Sequence, residues 1–380
     1  MKKKLFSYLA VFVMLIFAIG ACNKTKEEVK TLTTDEAKVE VRSASQEVNT
    51  NMDQVMNTAP IQSVNYLSTL LDNGTWKSTI KILIFQTRDL NLSKVKDAFR
   101  KDETGKSKAN GIGDFGVYQY NFDINDFELI EASSTKLVIK YPASDIAFAN
   151  RQNNAELVAD NLTYTTVTYT DTYWDEYSQT WITDTYDETI PTNLNLSLTI
   201  DGVQQMSGNY SGTLSESGYP TSANVSISMP PYQFDMSLSG SGTNFNTSLS
   251  FKQSDVEMMG YSLDIVYSSD LEKVDKVTGY YHMRPLKIEG WANLNAIETY
   301  ITETEGNGGN YDLDYLNSQI SLELFQTVLN AKIGDLAFKL YTDEYNYTSP
   351  NLAVVYADGT YEWLSDIMND DGTFKFVRKR

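Results

Sequence analysis

The feature that most constrains this fold is an alternation of apolar and polar side chains along the second half of the chain. Leu194, Leu196 and Leu198 alternate with Asn, Ser and Thr, and the same pattern recurs at 223–229, 232–238, 245–251 and 261–267. Such alternation buries one face of a strand and leaves the other in water, which is typical of an antiparallel sheet. Asp201-Gly202 follows the first run and suits a tight hairpin turn, because both turn positions need positive φ.

Further runs with strand character extend this pattern in both directions. Pro142 ends one of them, since proline cannot donate to a strand ladder. Turn signals separate the runs, so strands that are neighbours in sequence are expected to pair in space. No break in composition divides the region, which predicts a single β-rich domain over 34–380. The additional runs lie at 76–86, 115–122, 127–130, 136–141, 287–294, 336–341 and 352–356.

Two helices are predicted ahead of the sheet, near 35–72. Thr34 offers an N-cap, and acidic residues follow it in the first turn. Apolar residues then recur at spacings of three and four, which is the pattern of one helix face. Pro60 suits the start of a second helix. The two apolar stripes are Ala37, Val41, Ala44, Val48, Met52 and Val55, then Ile61, Val64, Leu67 and Leu71.

These elements define the expected fold class, once a third helix predicted over 311–329 is added. The class is mainly β (α+β). We expect a large antiparallel sheet, either curved or sandwich-like, with the N-terminal helical pair and one C-terminal helix packed on it.

The first 22 residues have the pattern of a secretory signal. A basic start is followed by an apolar run at 5–18, which is shorter than the ~20 residues that a membrane-spanning helix needs. Ile19-Gly20-Ala21-Cys22 resembles the bacterial lipobox, and the resemblance implies that a diacylglycerol is attached to Cys22 and that the chain is cut before it. We therefore expect 1–21 to be a lipoprotein signal peptide and 22–33 to be a lipidated, solvated tether.

The lipid predicts a location as well. Each buried CH₂ of an acyl chain such as palmitate stabilises membrane attachment by about 0.8 kcal/mol, and two or more chains make it long-lived. Cleavage removes three lysines and takes the net charge from −19 to −22, so an anionic membrane surface repels the protein body. We expect a cell-envelope protein held at the outer membrane by its lipid and facing the periplasm or the cell surface.

The composition excludes several kinds of chemistry. A single Cys cannot form an internal disulfide, and a single His falls short of most catalytic zinc sites. A net charge of −19 argues against a nucleic-acid partner. We expect no cofactor and no metal. The expected partners are the membrane, through the lipid anchor, and a glycan or lipid ligand.

Several strand-and-turn segments together resemble an uncharacterised group of envelope lipoproteins from Bacteroidetes-type bacteria. The resemblance adds to the lipobox and spans most of the mature chain. It implies an envelope location and a β-rich body, and it carries over no functional site. The segments are 118–142, ending Lys136-Leu-Val-Ile-Lys-Tyr-Pro-Ala-Ser144, then 196–202, 218–234 and 353–360.

The densest clusters of acids and aromatic residues lie at 173–177 and 184–188. One interpretation is a long exposed hairpin whose tryptophans cover the sheet. The other is a ligand platform, because aromatic faces bury area at low entropy cost and nearby carboxylates and hydroxyls make hydrogen bonds. The candidate ligand-binding residues are Tyr173, Trp174, Tyr177 and Trp181.

No catalytic residue is predicted. The only His, His282, is expected to be a hydrogen-bonded strand residue, and no Gly-x-Ser-x-Gly motif nominates a nucleophile. The oxygen-rich segments at 312–314 and 369–372 do not match a calcium loop and are expected to form turns.

The first functional hypothesis is a non-enzymatic, lipid-anchored binding or scaffolding module. Two alternatives remain open. A curved sheet with an apolar concave face would suit a lipid-binding carrier of the half-barrel type. The abundant carboxylates would allow a glycan hydrolase that uses two acids.

Overall fold

The computed structural model describes residues 29–70, 115–175, 177, 179–215, 220–271, 273–306, 308–343 and 345–367. Within these ranges the chain forms six helices and seventeen strands, so it is mainly β with an α+β composition, as predicted. The chain divides into two compact units. The first unit joins Met1–Gln54 with Gly240–Arg380, and the second unit is Val55–Ser239. That 34–380 acts as a single domain stays a prediction.

The elements are numbered here in chain order. The helices are α1 (Thr34–Met56), α2 (Ala59–Leu70), α3 (Asp145–Ala149), α4 (Leu294–Gly306), α5 (Leu313–Ser318) and α6 (Leu364–Ile367). The first nine strands are β1 (Lys30–Thr31), β2 (Gly116–Asn121), β3 (Asp126–Ala132), β4 (Leu137–Tyr141), β5 (Ala155–Asp175), β6 (Thr180–Ile200), β7 (Val203–Leu214), β8 (Pro220–Met229) and β9 (Tyr232–Ser241). The other eight are β10 (Asn244–Gln253), β11 (Val256–Tyr267), β12 (Val274–Met283), β13 (Leu286–Ala292), β14 (Ile320–Gln326), β15 (Ala331–Thr342), β16 (Thr348–Val355) and β17 (Tyr361–Trp363).

The second unit is a sheet with one face on a helix. From β4 to β9 each strand pairs antiparallel with the next, whereas β2 pairs antiparallel with β3 and parallel with β4. Leu67 of α2 is fully buried in a core with Tyr141 and Leu198. Ser63 and Tyr141 share a hydrogen bond of 3.0 Å, and burial raises the pKa of Tyr141 to about 12 although this hydrogen bond opposes the shift.

The first unit is a second run of neighbouring strands. From β10 to β17 each strand pairs antiparallel with the next, and the short β1 adds a parallel pairing to the start of β15. Helix α1 buries Ala37, Val41 and Ala44, which confirms the first part of its predicted apolar stripe. Gln326 at the end of β14 donates to Glu40 of α1 over 2.9 Å. This contact links the helix to a strand of the same unit.

The alternation and the turn prediction are confirmed where they can be compared. In β11 the alternating residues Leu263, Ile265 and Tyr267 are buried, and Asp201 and Gly202 between β6 and β7 adopt φ of 50° and 77°. The predicted strands at 115–122, 127–130, 136–141, 336–341 and 352–356 correspond to β2, β3, β4, β15 and β16. The predicted strand at 76–86 lies outside the described residues, as does the predicted turn at 369–372.

The predicted helix over 311–329 is wrong over most of its length. The helix α5 occupies only Leu313–Ser318, and residues from Ile320 onward form the strand β14. A longer helix, α4, lies at Leu294–Gly306 just after β13, in a segment for which the sequence predicted no element beyond the strand run that ends at Leu294. Leu294 and Ile297 are the buried residues of α4, so its apolar face covers little more than one turn.

Candidate functional site: an aromatic hairpin tip

The predicted aromatic residues lie at the end of a long hairpin in the second unit. Strands β5 and β6 each have 21 residues. Their proximal parts also pair with β4 and β7, whose registers end at Ala159 and Asn193. From 168 to 187 the two strands pair with each other, and we call this part the hairpin tip. The tip therefore extends past the strands that flank its base.

A small apolar cluster marks the base of the tip. Val167 and Ile190 are buried there, and the partly buried Leu214 of β7 packs against them. The register of β5 against β6 is irregular between Asp160 and Tyr164. These features separate a proximal part of the hairpin, which belongs to the sheet, from a distal two-stranded ribbon.

Trp174 and Trp181 form a cross-strand pair at the end of the ribbon. Their ring centroids are 5.6 Å apart with an interplanar angle of 67°, an edge-to-face arrangement. Such aromatic pairs contribute about 0.5–1.5 kcal/mol beyond the area they bury. Nevertheless Trp174 is 47% exposed and Trp181 is 69% exposed. The indoles do not cover the sheet, and much of their apolar surface faces solvent.

The other two candidate residues occupy different positions. Tyr173 precedes Trp174 in the strand and pairs with Ile182, so it belongs to the opposite face of the ribbon. Tyr177 is fully exposed in the turn, where its N–H donates to Asp175 Oδ1 over 3.0 Å. The structure thus brings Trp174 and Trp181 together on one face and leaves Tyr177 at the end of the ribbon.

Sequence reasoning missed a row of hydroxyls on the face that carries the indoles. Thr172 and Thr183 share a hydrogen bond of 3.1 Å, and Thr168 donates to Asp187 over 2.7 Å. Thr170 and Thr185 pair between them. The signal was present as threonine at every second position of both strands. From residue 174 to residue 168 the row extends about 20 Å at the rise of a β-strand.

This combination suits a polyhydroxylated ligand. An exposed aromatic surface binds the apolar face of a sugar ring, and hydroxyl and carboxylate groups beside it accept or donate hydrogen bonds. The row of hydroxyls continues from the indoles in one direction, so an extended ligand would be able to follow it.

His282 has the role that the sequence predicts. It lies in β12, with Nδ1 3.3 Å from Glu257 Oε2 and Nε2 3.4 Å from Thr327 Oγ1. Thr327 Oγ1 also donates to the carbonyl oxygen of Pro285 over 2.9 Å. Glu257 also accepts a hydrogen bond of 2.9 Å from Ser250. The network links β10, β11 and β12 to the turn that follows β14.

Several carboxylates in other regions have structural partners. Lys332 donates to Glu323 over 2.6 Å and to Asp335 over 2.8 Å, which offsets one of the two negative charges. Asp312 caps α5 by accepting from the N–H groups of Asp314 and Tyr315, so the segment predicted as a turn at 312–314 is instead the start of a helix. Among the described residues there is no group of three His, Cys, Asp or Glu side chains that would hold a metal ion.

A groove of about 350 Å³ lies on the wet face of the second unit's sheet. About half of its lining surface is polar, whereas an acyl chain needs a predominantly apolar wall. The lining residues are Asn195, Leu196, Ser207, Gly208, Asn209, Ser226, Ser228 and Gln233.

Comparisons of this chain with models of protein families, with curated proteins and with solved structures found no match. The resemblance to Bacteroidetes-type lipoproteins therefore stays a prediction. Cys22 lies outside the described residues. None of the described helices is long and apolar enough to cross a bilayer.

Proposed function

We propose that this chain is a lipid-anchored cell-envelope protein that binds glycans through the hairpin tip and acts without catalysis. The observation that carries the proposal is the exposed pair of Trp174 and Trp181 beside a row of threonine hydroxyls. Large exposed aromatic residues on a protruding ribbon are costly to solvate unless a ligand covers them.

The lipid anchor is supported by the sequence at the N-terminus. The apolar run at 5–18 and the block Ile19-Gly20-Ala21-Cys22 suit acylation of Cys22. An anchor at the outer membrane would hold the hairpin tip in a compartment where polysaccharides are abundant ligands. The strong negative charge of the body favours neutral glycans over acidic ones, because like charges repel.

The test is a binding measurement on the full mature chain in detergent. A panel of soluble neutral oligosaccharides is titrated by calorimetry, and the best ligand is then measured against Trp174→Ala, Trp181→Ala and the double variant. We expect each single variant to weaken binding about tenfold, a loss of ~1.4 kcal/mol, because one of two stacking surfaces is removed. The double variant should bind no measurable ligand.

The matched control is Tyr345→Ala. Tyr345 is an exposed aromatic residue in the turn between β15 and β16 of the first unit, and its removal should leave the affinity unchanged. A wild-type protein that binds none of the panel, or a double variant that binds as well as wild type, would contradict the proposal. Analysis of the ligand after incubation separates the hydrolase alternative, which predicts shortened oligosaccharides.

A further inference from the structure

Exposed apolar side chains gather near the first described residue of the first unit. Val328 is 58% exposed and Leu329 is 52% exposed in the turn between β14 and β15. Val29, directly before β1, and Val256, at the start of β11, are also exposed. We call the end of the sheet that carries these four residues the tether end.

The strand registers place the four residues at the same end. Strand β1 runs parallel to β15 with Lys30 opposite Ala331, so Val29 lies beside the turn that precedes β15. Leu286 is opposite Gln326, which brings the turn between β12 and β13 to the same end. The N–H of Arg284 donates to Met258 over 2.9 Å, which adds the turn between β10 and β11.

The turn that carries Val328 and Leu329 is held by a buried side chain. Gln326 is 5% exposed, accepts from the N–H of Leu329 over 2.7 Å and donates to Glu40 over 2.9 Å. The four turn residues, Thr327-Val-Leu-Asn330, carry no charge in a chain whose net charge is −19. The fold thus fixes an apolar, uncharged projection at this end of the sheet.

The length of the tether limits how far the tether end can lie from a bilayer that holds Cys22. Seven residue steps separate Cys22 from Val29, so the tether spans at most about 25 Å even when fully extended. Strand β15 has 12 residues and extends for about 36 Å. The tether end therefore stays close to the membrane in every orientation, whereas the far end of β15 can lie about 36 Å farther away.

We propose that the tether end lies against the lipid bilayer, with Val328 and Leu329 inserted at its interface. This inference rests on the acylation of Cys22 that the proposed function includes. Apolar side chains on an uncharged turn suit the boundary between headgroups and acyl chains. The contact would fix the orientation of the first unit, which a lipid anchor on Cys22 alone would not do.

The experiment uses thiol labelling, because Cys22 is the only natural cysteine and its acylated sulfur does not react. Full-length lipidated Leu329→Cys and Leu340→Cys variants are labelled with an environment-sensitive fluorophore and reconstituted into phosphatidylcholine vesicles that contain spin-labelled lipid. Leu340 is a matched control, since it is an apolar residue of β15 that is 45% exposed near the other end of the strand.

We expect the spin-labelled lipid to quench the fluorophore at position 329 at least fivefold more strongly than at position 340. Val328→Cys provides a second position in the same turn in case one variant folds poorly. Equal quenching at 329 and 340, or none at 328 and 329, would overturn the inference while leaving the anchor intact. Wild-type protein that takes up the label would instead contradict the acylation of Cys22, and the proposed anchor would fail with it.

Discussion

Gly290 is the residue at which the first unit tolerates the least change. It lies in β13 between Gly279 of β12 and Leu322 of β14, with φ of 155°. A Cβ atom at this position would lie 1.6 Å from the carbonyl oxygen of Ser321. The neighbouring atoms belong to the backbone of β14, so the contact cannot be relieved by a change of rotamer.

Replacing this glycine should therefore be costly. We expect Gly290→Ala to lower the free energy of unfolding by at least about 2 kcal/mol, because the strand must shift and adopt a strained φ. Gly306→Ala, at the end of α4 where no atom lies within 4 Å of the added Cβ, should be neutral or stabilise by about 0.5–1 kcal/mol. Urea unfolding of both variants checks the pair, and equal effects would contradict the close approach.

Glu257 connects the stability of the first unit to pH. Burial acts to raise the pKa of this carboxyl, but hydrogen bonds from His282 and Ser250 outweigh it and hold the pKa below the ordinary value of 4.5. A carboxyl whose pKa is lowered in the folded state stabilises the fold above its unfolded pKa. That contribution is lost as the pH falls from 4.5 through the lower pKa of the folded state.

The lowered pKa of Glu257 predicts that the fold loses stability in acid. Wild-type protein should lose stability as the pH falls below 4.5, and Glu257→Gln should lose less because it has no such carboxyl to protonate. Glu298→Gln on α4 is the control, since this carboxylate lies outside the network, and it should follow wild type. Chemical unfolding at several pH values measures the difference; parallel curves for Glu257→Gln and wild type would count against the network.

The base and the tip of the long hairpin differ in how many neighbouring strands stabilise them. Its proximal strands have neighbours on both sides, β4 for β5 and β7 for β6. The tip, 168–187, pairs only with itself among the described strands. An isolated two-stranded ribbon is marginally stable in water, so the tip should open more readily than the base.

Native-state hydrogen exchange resolves this difference. Amides of β5 in the tip should be protected at least about tenfold less than those at 156–159, because local opening of the ribbon leaves the sheet intact. Addition of a bound oligosaccharide should raise protection in the tip alone. Equal protection along β5 without ligand would mean that another element covers the ribbon.

Individual strands and helices show why some predictions from the sequence were correct and others were wrong. Alternation predicted β6 and β8 to β11, because apolar residues recur at every second position along most of these segments. The prediction for the segment at 313–324 was wrong because this segment carries two patterns. Leu313, Leu316, Ile320 and Leu324 have helical spacing, whereas Ile320, Leu322 and Leu324 alternate as in a strand. Residues from Ile320 onward form a strand because they pair with β13 and β15 in the tertiary structure. Helix α4 was missed because several threonines weaken its helical signal.

The candidate site was predicted in part. An aromatic cluster was visible in the sequence, but its division between two faces depends on the register of Trp174 opposite Trp181. A shift of one residue would have placed Tyr173 beside Trp181 instead. The threonine row was equally readable as ordinary strand composition. The structure makes the threonine row a candidate for ligand binding because it lies on the same face as the indoles.

The proposal assigns a different function to each of the two units of the protein. The first unit carries the tether end and meets the bilayer, and the second unit carries the hairpin tip and meets a glycan. Both tasks assume that Cys22 is acylated, because without the anchor neither a membrane contact nor an envelope location follows. The lipid is therefore the central claim.

Intact-mass spectrometry of the protein extracted from membranes tests that claim most directly. The account predicts a chain that begins at Cys22 and carries the added mass of a diacylglycerol, whereas Cys22→Ala should carry no lipid and should leave the membrane fraction. A wild-type chain that retains residues 1–21, or one that begins at Cys22 with a free thiol, would contradict it.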